Sequence, residues 1–480
     1  MHTISSVLRF LIAIFVLISG LFGHPGSATP LKDTSRLRVS NGNRILLERG
    51  FVLQAWAPAE DSDVSAPPPD TYGKLGFGPT FYDGNGFNNA CLEANPTILW
   101  SLAKAPDNEN GVTGPPGGGE WLSADQLRYA GRLVSVCFGD EQQYSTLETL
   151  LLAEWFADFR GRHPDVLLHT NQYPNQWNQE QIKEYLRVAQ PDMLTYDTYP
   201  FDLRGDRPDY KLPARLADDI NYHRIPAMGG YDGSGEEPIP FGQYLIAFKT
   251  SASSDVGKYE ITQSQKNLTA NLTAAMGGKW LNLFRVVVNE EYFLLHNNDG
   301  TPTRHFDEYA EISRELAALS DHLVQLQTID AKVAPGRHTA KWGLILQNDL
   351  PRTVKQFRKD TALRIDKIQA KNLGGENDGL PGDVYLGKFA VLPGAAFPEA
   401  REYFAVCNGL ISGNGLLPEQ QHGSCAETRQ EITLKINRSR EKTLYYVDPA
   451  TGQALPAALD SEGNAVFTLG GGKMRLFFWA

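Results

Sequence analysis

The chain has 480 residues, 41% of them hydrophobic and 21% charged, with a formal net charge of −11. This is a globular composition, long enough for one large domain and a smaller companion. The negative balance leaves no basic stripe for docking, which argues against nucleic acid or an anionic membrane surface as the partner.

Arg9 precedes FLIAIFVLISGLFG, an uncharged apolar run of 14 residues, and HPGSA follows with small residues at Gly26 and Ala28. The run is shorter than the roughly 20 residues that cross a bilayer and ends at a cleavage-like site. Residues 1–28 are therefore predicted to be a secretory signal peptide, with no membrane segment after its removal and an extracellular or periplasmic destination.

From about residue 36 to 330, short apolar runs alternate with longer amphipathic ones. The predicted strands are FVLQAWA, GPTFYDG, TILWSLAKA, LVSVCFGDE, DVLLHTNQY, DMLTYDTYPF, IPAMGGYDG and WLNLFRVVV. Helical periods lie between several of them, as in TLETLLLAEWFADFRGR and NQEQIKEYLRVAQ. Such alternation predicts a (β/α)8 barrel, the TIM-barrel architecture of the α/β class. No GxGxxG follows the first strand, which disfavours an open doubly wound sheet. After the long helical stretch DEYAEISRELAALSDHLVQLQT the texture changes. Residues 340–480 hold short alternating runs split by turn residues, which predicts a C-terminal antiparallel β-sandwich.

Cysteines stand at positions 91, 137, 407 and 425 and match no zinc signature. An exported chain tolerates disulfides, so a Cys407–Cys425 bridge around a Gly-rich loop is expected. Cys137 either pairs with Cys91 or remains a buried thiol. The sequons at Asn267, Asn271 and Asn437 matter only in a eukaryotic host. His163, His169, His223, His296 and His305 form neither HxH nor HExxH, so neither a metal nor another cofactor is expected.

Barrel active sites form at the C-terminal ends of the strands. On the predicted strands those ends carry Trp56, Asp83, Asp140, Glu141, Asn171, Gln172, Tyr173, Asp197, Tyr199, Tyr231, Asp232, Arg285, Asn289, Glu290 and Glu291. Carboxylates and amides bind hydroxyls, and aromatic rings stack on sugar faces, so the set points to an oligo- or polysaccharide substrate. Glycoside hydrolysis needs one protonated and one ionised carboxyl. Successive strand residues face opposite ways, so only one of Asp140 and Glu141 is expected to enter the site. Glu141 is the predicted proton donor, its pKa raised by neighbouring charge and partial burial. Asp197 is its predicted catalytic partner, ahead of Asp232 and the pair Glu290 and Glu291. Asp140, Trp56, Asn171, Tyr173, Tyr199, Tyr231 and Asp232 are predicted to bind substrate. Trp177 and Trp280 serve equally well as stacking platforms or core, and Glu260 has no clear place.

The segments GDEQ, HTNQYPN, PDMLTYDTYPF and AAMGGKWLNLFRV, with DGTPTRHFDEYAEISREL, resemble those of secreted (β/α)8 glycoside hydrolases of the β-galactosidase-like kind. The resemblance implies hydrolysis of O-glycosidic bonds, with Glu141 as acid/base. That clan usually places Asn before this Glu, where Asp140 stands here, and a nucleophilic Glu at the end of the seventh strand, where the predicted strand ends in GGYDG. The alternative is a barrel that binds carbohydrate without turning it over.

Overall fold

The computed structural model describes residues 33–58, 65–83, 86–104, 119–200, 211–252, 255–288, 294–398, 401–412, 424–437 and 442–480. The predicted signal segment and residues Asn289, Glu290 and Glu291 lie outside them. Among the described residues no helix is long and apolar enough to cross a membrane.

Eight parallel strands close into a barrel: β1 (Val52–Trp56), β2 (Gly78–Tyr82), β3 (Trp100–Lys104), β4 (Leu133–Asp140), β5 (Leu167–Gln172), β6 (Leu194–Asp197), β7 (Phe241–Ile246) and β8 (Trp280–Phe284). Nearly every strand residue is buried, because helices cover the outside and side chains fill the lumen. The lumen is polar. Ser101 meets Ser135 at 2.7 Å, Asn282 reaches Thr80 at 2.9 Å, and His169 meets Thr195 at 2.8 Å. Gly242 is required in β7, since a Cβ there would sit 2.4 Å from the Trp280 carbonyl.

Helix α1 (Asn41–Arg49) precedes the barrel. The covering helices are α2 (Thr71–Leu75), α3 (Asn89–Ala94), α4 (Ala124–Leu127), α5 (Thr146–Arg162), α6 (Gln179–Ala189), α7 (Leu212–Gly229), α8 (Gln263–Ala275) and α9 (Arg304–Leu323). Polar caps fix where the later ones start. The Ser145 hydroxyl accepts the Glu148 amide at 3.0 Å, and Asn178 and Thr262 each complete a capping box.

The seventh strand differs from the expectation. IPAMGG is the end of α7, with Pro226 inside its last turns, and β7 is FGQYLI, fifteen or so residues later in the chain. The chain leaves the helix at Gly230, whose φ of +67° suits a residue without Cβ.

The C-terminal region is a second layer pair. A seven-stranded sheet is built on Leu326–Ala334, Val384–Val391, Glu402–Asn408 and Met474–Trp479, and a three-stranded sheet on Ile365–Asn372, Gln430–Ile436 and Ala465–Leu469. Pairing is antiparallel except where Lys355–Gln356 joins the edge in parallel. Alternate residues of the large sheet serve two interfaces. Leu386, Phe404, Val406 and Phe477 meet the small sheet, while Tyr385, Tyr403, Ala405 and Phe478 belong to the main core shared with the barrel. Helix α8 is caught between barrel and sheet and is buried from Ser264 to Ala275. The approach is close, since a Cβ on Gly387 would fall 1.6 Å from the Ala275 carbonyl.

That burial governs the sequons. Asn267 and Asn271 are 1% and 2% exposed, and the Asn271 amide donates to the Gly472 carbonyl at 3.1 Å. Neither can meet a glycosylating enzyme in the folded chain. The expected Cys407–Cys425 bridge is absent, all four cysteines are free thiols, and Cys137 is a buried one. Cys137 lies inside β4, its thiol 3.2 Å from the Gly139 carbonyl, whereas Cys91 sits on α3 outside the barrel. Cys407 and Cys425 each turn to a backbone carbonyl, of Gly472 and Gly471, instead of to one another.

Candidate active site

Strand β4 does not keep its alternation to the end. Its register with β5 shifts between Cys137 and Asp140. Gly139 has φ +94° and Glu141 φ +52°, a left-handed conformation for a residue with a side chain. Such a conformation costs about 1 kcal/mol and persists only where surroundings impose it. Here the Asn171 carbonyl accepts the Glu141 amide at 3.0 Å, and the Gln176 side chain donates to the Glu141 carbonyl. The bulge overturns the expectation that only one of the adjacent carboxylates enters the site. Asp140 and Glu141 both reach it.

Asn171, at the end of β5, holds the group together. Its Nδ2 donates to Asp140 Oδ1 at 2.8 Å and to Asp197 Oδ1 at 3.0 Å. The Glu141 carboxyl stands close enough to oppose ionisation of Asp197. Three carboxyls thus converge from the ends of β4 and β6. Burial, then the charges of Glu141 and Asp140, push the Asp197 pKa up to about 8, against the bond from Asn171, which favours its charged form. Asp140 is also raised by its enclosed position, with Asn171 again acting the other way. Asp140 is open to solvent yet walled by protein on most sides, as at the floor of a cleft.

The cleft above has a volume of about 730 Å³ and is lined by Glu141, Tyr173, Asp197, Tyr199, Arg215 and Arg352, among others. Arg352 comes from the C-terminal region. Its loop is fixed to α7, where Asp218 accepts the amides of Arg352 and Thr353 at 3.0 and 2.8 Å. Tyr173 is 42% exposed at the rim. Tyr199 packs edge-on against Phe248 with ring centres 5.0 Å apart. Trp56, at the end of β1, is 3% exposed and lies 4.6 Å from the Tyr82 ring, so it packs in the core instead of offering an open platform.

Other expected positions lie elsewhere. Tyr231 and Asp232 follow α7 at the opposite mouth of the barrel, where the Tyr231 hydroxyl donates to the Pro191 carbonyl at 2.9 Å and Asp232 accepts from the Ser234 amide. Trp177 donates to the Gln142 carbonyl at 2.8 Å and packs against Tyr144, and Trp280 packs against His169 in the lumen. Gln172 is buried. Asp83 is paired with Lys104 at 2.6 Å. Glu260 meets His305 at 3.0 Å in the helix layer.

The sequence reading missed Tyr82 and Tyr244. Tyr82 ends β2 and hydrogen-bonds Arg285, with Asp140 close enough to oppose its ionisation. Tyr244 stands level with Asp197 on the adjacent strand. Placing β7 at FGQYLI, behind the helix-ending glycines, is the step that would have found it. Among the described residues no group of three His, Cys, Asp or Glu is arranged to hold a metal ion.

No family model matches the chain, and no curated protein matches it by sequence. Among solved structures it is similar to an arabinofuranosidase, at 8% identity and TM-score 0.42, covering 93% of this chain and 99% of that one. It is similar to a family 51 α-L-arabinofuranosidase from Bifidobacterium longum, at 11% identity and TM-score 0.44, covering 94% and 97%. It is also similar to a GH128 endo-β-1,3-glucanase from Amycolatopsis mediterranei solved with laminarihexaose, at 13% identity and TM-score 0.32, covering 54% and 97%. The solved structures this chain resembles are glycoside hydrolases, and at these TM-scores the likeness carries no argument about its own substrate or mechanism.

Proposed function

We propose that the protein is a secreted glycoside hydrolase that cleaves O-glycosidic bonds by carboxyl acid/base catalysis. One observation carries the reading: Glu141 and Asp197 line one cleft, and Asp197 is tied through Asn171 to Asp140 at the C-terminal rim of the barrel. Burial raises the Asp197 pKa to about 8, which keeps a proton available near neutral pH, as a glycosidic oxygen requires when it leaves. Glu141, the more open of the two, delivers the proton, and Asp197 resupplies and orients it. Tyr173 and Tyr199 in the cleft wall offer ring faces to sugars. The apolar N-terminal run supports secretion, and N-terminal sequencing of exported protein should begin near Thr29.

The test is product analysis on a panel of glycosides and glycans, with Glu141→Gln as the control. Release of reducing sugar by the parent and its loss in a folded variant support the reading. Calorimetric binding of oligosaccharide without any turnover by the parent would favour a non-catalytic binder.

A further inference from the structure

One surface hairpin breaks the usual pattern of singly scattered apolar residues. Five of the ten large hydrophobic side chains that stand exposed among the described residues fall within nine positions: Trp342, Leu344, Ile345, Leu346 and Leu350. Trp342 is 92% exposed. The strands Arg337–Thr339 and Ile345–Gln347 pair antiparallel around a tip at Lys341–Gly343, where Trp342 takes φ +64°. Every residue from Lys341 to Gln347 is exposed. Ile345 and Leu346 point to opposite faces of their strand, so the hairpin stands in water with apolar groups on both sides.

Its root is firmly built. The buried Asp383 side chain accepts the Gly336 amide at 2.7 Å and the Asn348 side-chain amide at 3.0 Å, and His338 meets Asn348 at 3.0 Å. Near the tip the Ala340 amide donates to the Leu344 carbonyl at 2.7 Å. These bonds hold the apolar tip away from the core, and a contiguous apolar surface so presented marks an interaction site.

The charge around the tip names the partner. Residues 336–359 hold six Lys and Arg against one acidic residue, Asp349, in a chain whose net charge is −11. All six cations are exposed, and Lys211 stands 3.9 Å from Asp349. Arg352 and Lys359 lean on the Asp218 and Asp366 carboxylates, whereas Arg337, Lys341, Lys355 and Arg358 have no carboxylate partner among the described residues. The chain-wide balance conceals this local excess. A twofold pairing of two copies would set the cations against themselves. Sugar stacking would use the Trp342 ring and leave Leu344, Ile345 and Leu346 in water. An anionic bilayer surface uses both features, since acyl chains take the aliphatic groups, the headgroup layer suits Trp, and lipid phosphates attract Lys and Arg.

We propose that the hairpin docks the protein on an anionic phospholipid surface. Trp342, Leu344 and Ile345 enter the boundary between headgroups and acyl chains, while Arg337, Lys341 and Lys355 face the phosphates. The attachment is peripheral and reversible, because it combines a small apolar insert with a basic patch.

The test mixes the full chain with vesicles of phosphatidylcholine alone or of an equimolar mixture with phosphatidylglycerol, with and without brominated acyl chains. The other seven tryptophans are buried, so quenching by bromine reports Trp342. Sedimentation with the anionic vesicles, quenched fluorescence and release by salt are expected. Trp342→Ser should lower partitioning by about tenfold or more, the scale of losing one large apolar contact. Lys341→Gln and Lys355→Gln should each lower it about fivefold. Glycoside turnover and the melting curve should not change in these variants, since the hairpin lies outside the cleft and the core. No association with anionic vesicles at low salt would overturn the inference. So would association without quenching, or binding that Trp342→Ser leaves intact. Self-association or retention on an acidic polysaccharide gel, lost in Trp342→Ser and unaccompanied by vesicle binding, would assign the hairpin to a second copy or a glycan instead. Each of these results leaves the glycosidase reading standing.

Discussion

Replacing Asp197 with asparagine should make the protein more stable while disabling it. In the folded chain burial and the charges of Glu141 and Asp140 raise this carboxyl to about 8, whereas an unfolded chain returns it to about 3.9. Between those values the folded state keeps a proton that the unfolded state has released. Stability follows the protons bound by the unfolded state minus those bound by the folded state, so it falls as pH rises across that interval. Below about pH 4 the carboxyl contributes no penalty, and above about pH 8 it contributes the whole of it. A shift of about four units, at 1.36 kcal/mol each, sets a ceiling of about 5 kcal/mol. The cleft is open to water, which brings the expected effect down to about 2–3 kcal/mol. Asparagine keeps the shape and removes the ionisation. Urea unfolding at pH 5 and pH 9 should show a small advantage for Asp197→Asn at pH 5 that grows toward this value at pH 9. A variant less stable than the parent at pH 9, or an unchanging difference, would refute the electrostatic reasoning.

Asn171→Ala removes the two bonds that favour ionised Asp140 and Asp197. Both carboxyls should then hold protons to higher pH, moving the alkaline limb of the kcat/KM profile up by about one unit. Tyr231→Phe loses a single bond to the Pro191 carbonyl at the far mouth of the barrel. About 0.5–1.5 kcal/mol of stability should go with it, and kcat should stay unchanged. With all four cysteines free, adding reductant should leave Tm unchanged, and thiol titration in denaturant should count every one of them.

Much of the barrel was legible because its strands are buried on both faces and read as apolar runs ending in polar residues. LVSVCFGDE, DVLLHTNQY and DMLTYDTYPF brought Glu141, Asn171 and Asp197 to one rim on that basis alone. The seventh strand was not legible. Pro226 and the paired glycines after it read as strand and turn, though a proline near the end of α7 is tolerated while tertiary packing holds the helix. That one displacement carried Tyr231 and Asp232 to the expected rim and hid Tyr244. Period-two reasoning likewise failed at Asp140 and Glu141, since a register shift and two positive φ values are tertiary features with no pattern of their own. In the C-terminal sheet, REYFAVCNG shows little polar alternation because its second face is pressed against the barrel.

The central claim is that the Glu141–Asp197 pair delivers a proton to a departing sugar oxygen. Its most direct measurement is the leaving-group dependence of Glu141→Gln, comparing an alkyl glycoside with its 2,4-dinitrophenyl counterpart in a variant whose melting curve matches the parent. A loss of about 10²–10⁴-fold in kcat/KM on the alkyl glycoside is expected, with little loss where the leaving group needs no proton. Equal losses on the two substrates, or none on the alkyl glycoside, would contradict the claim.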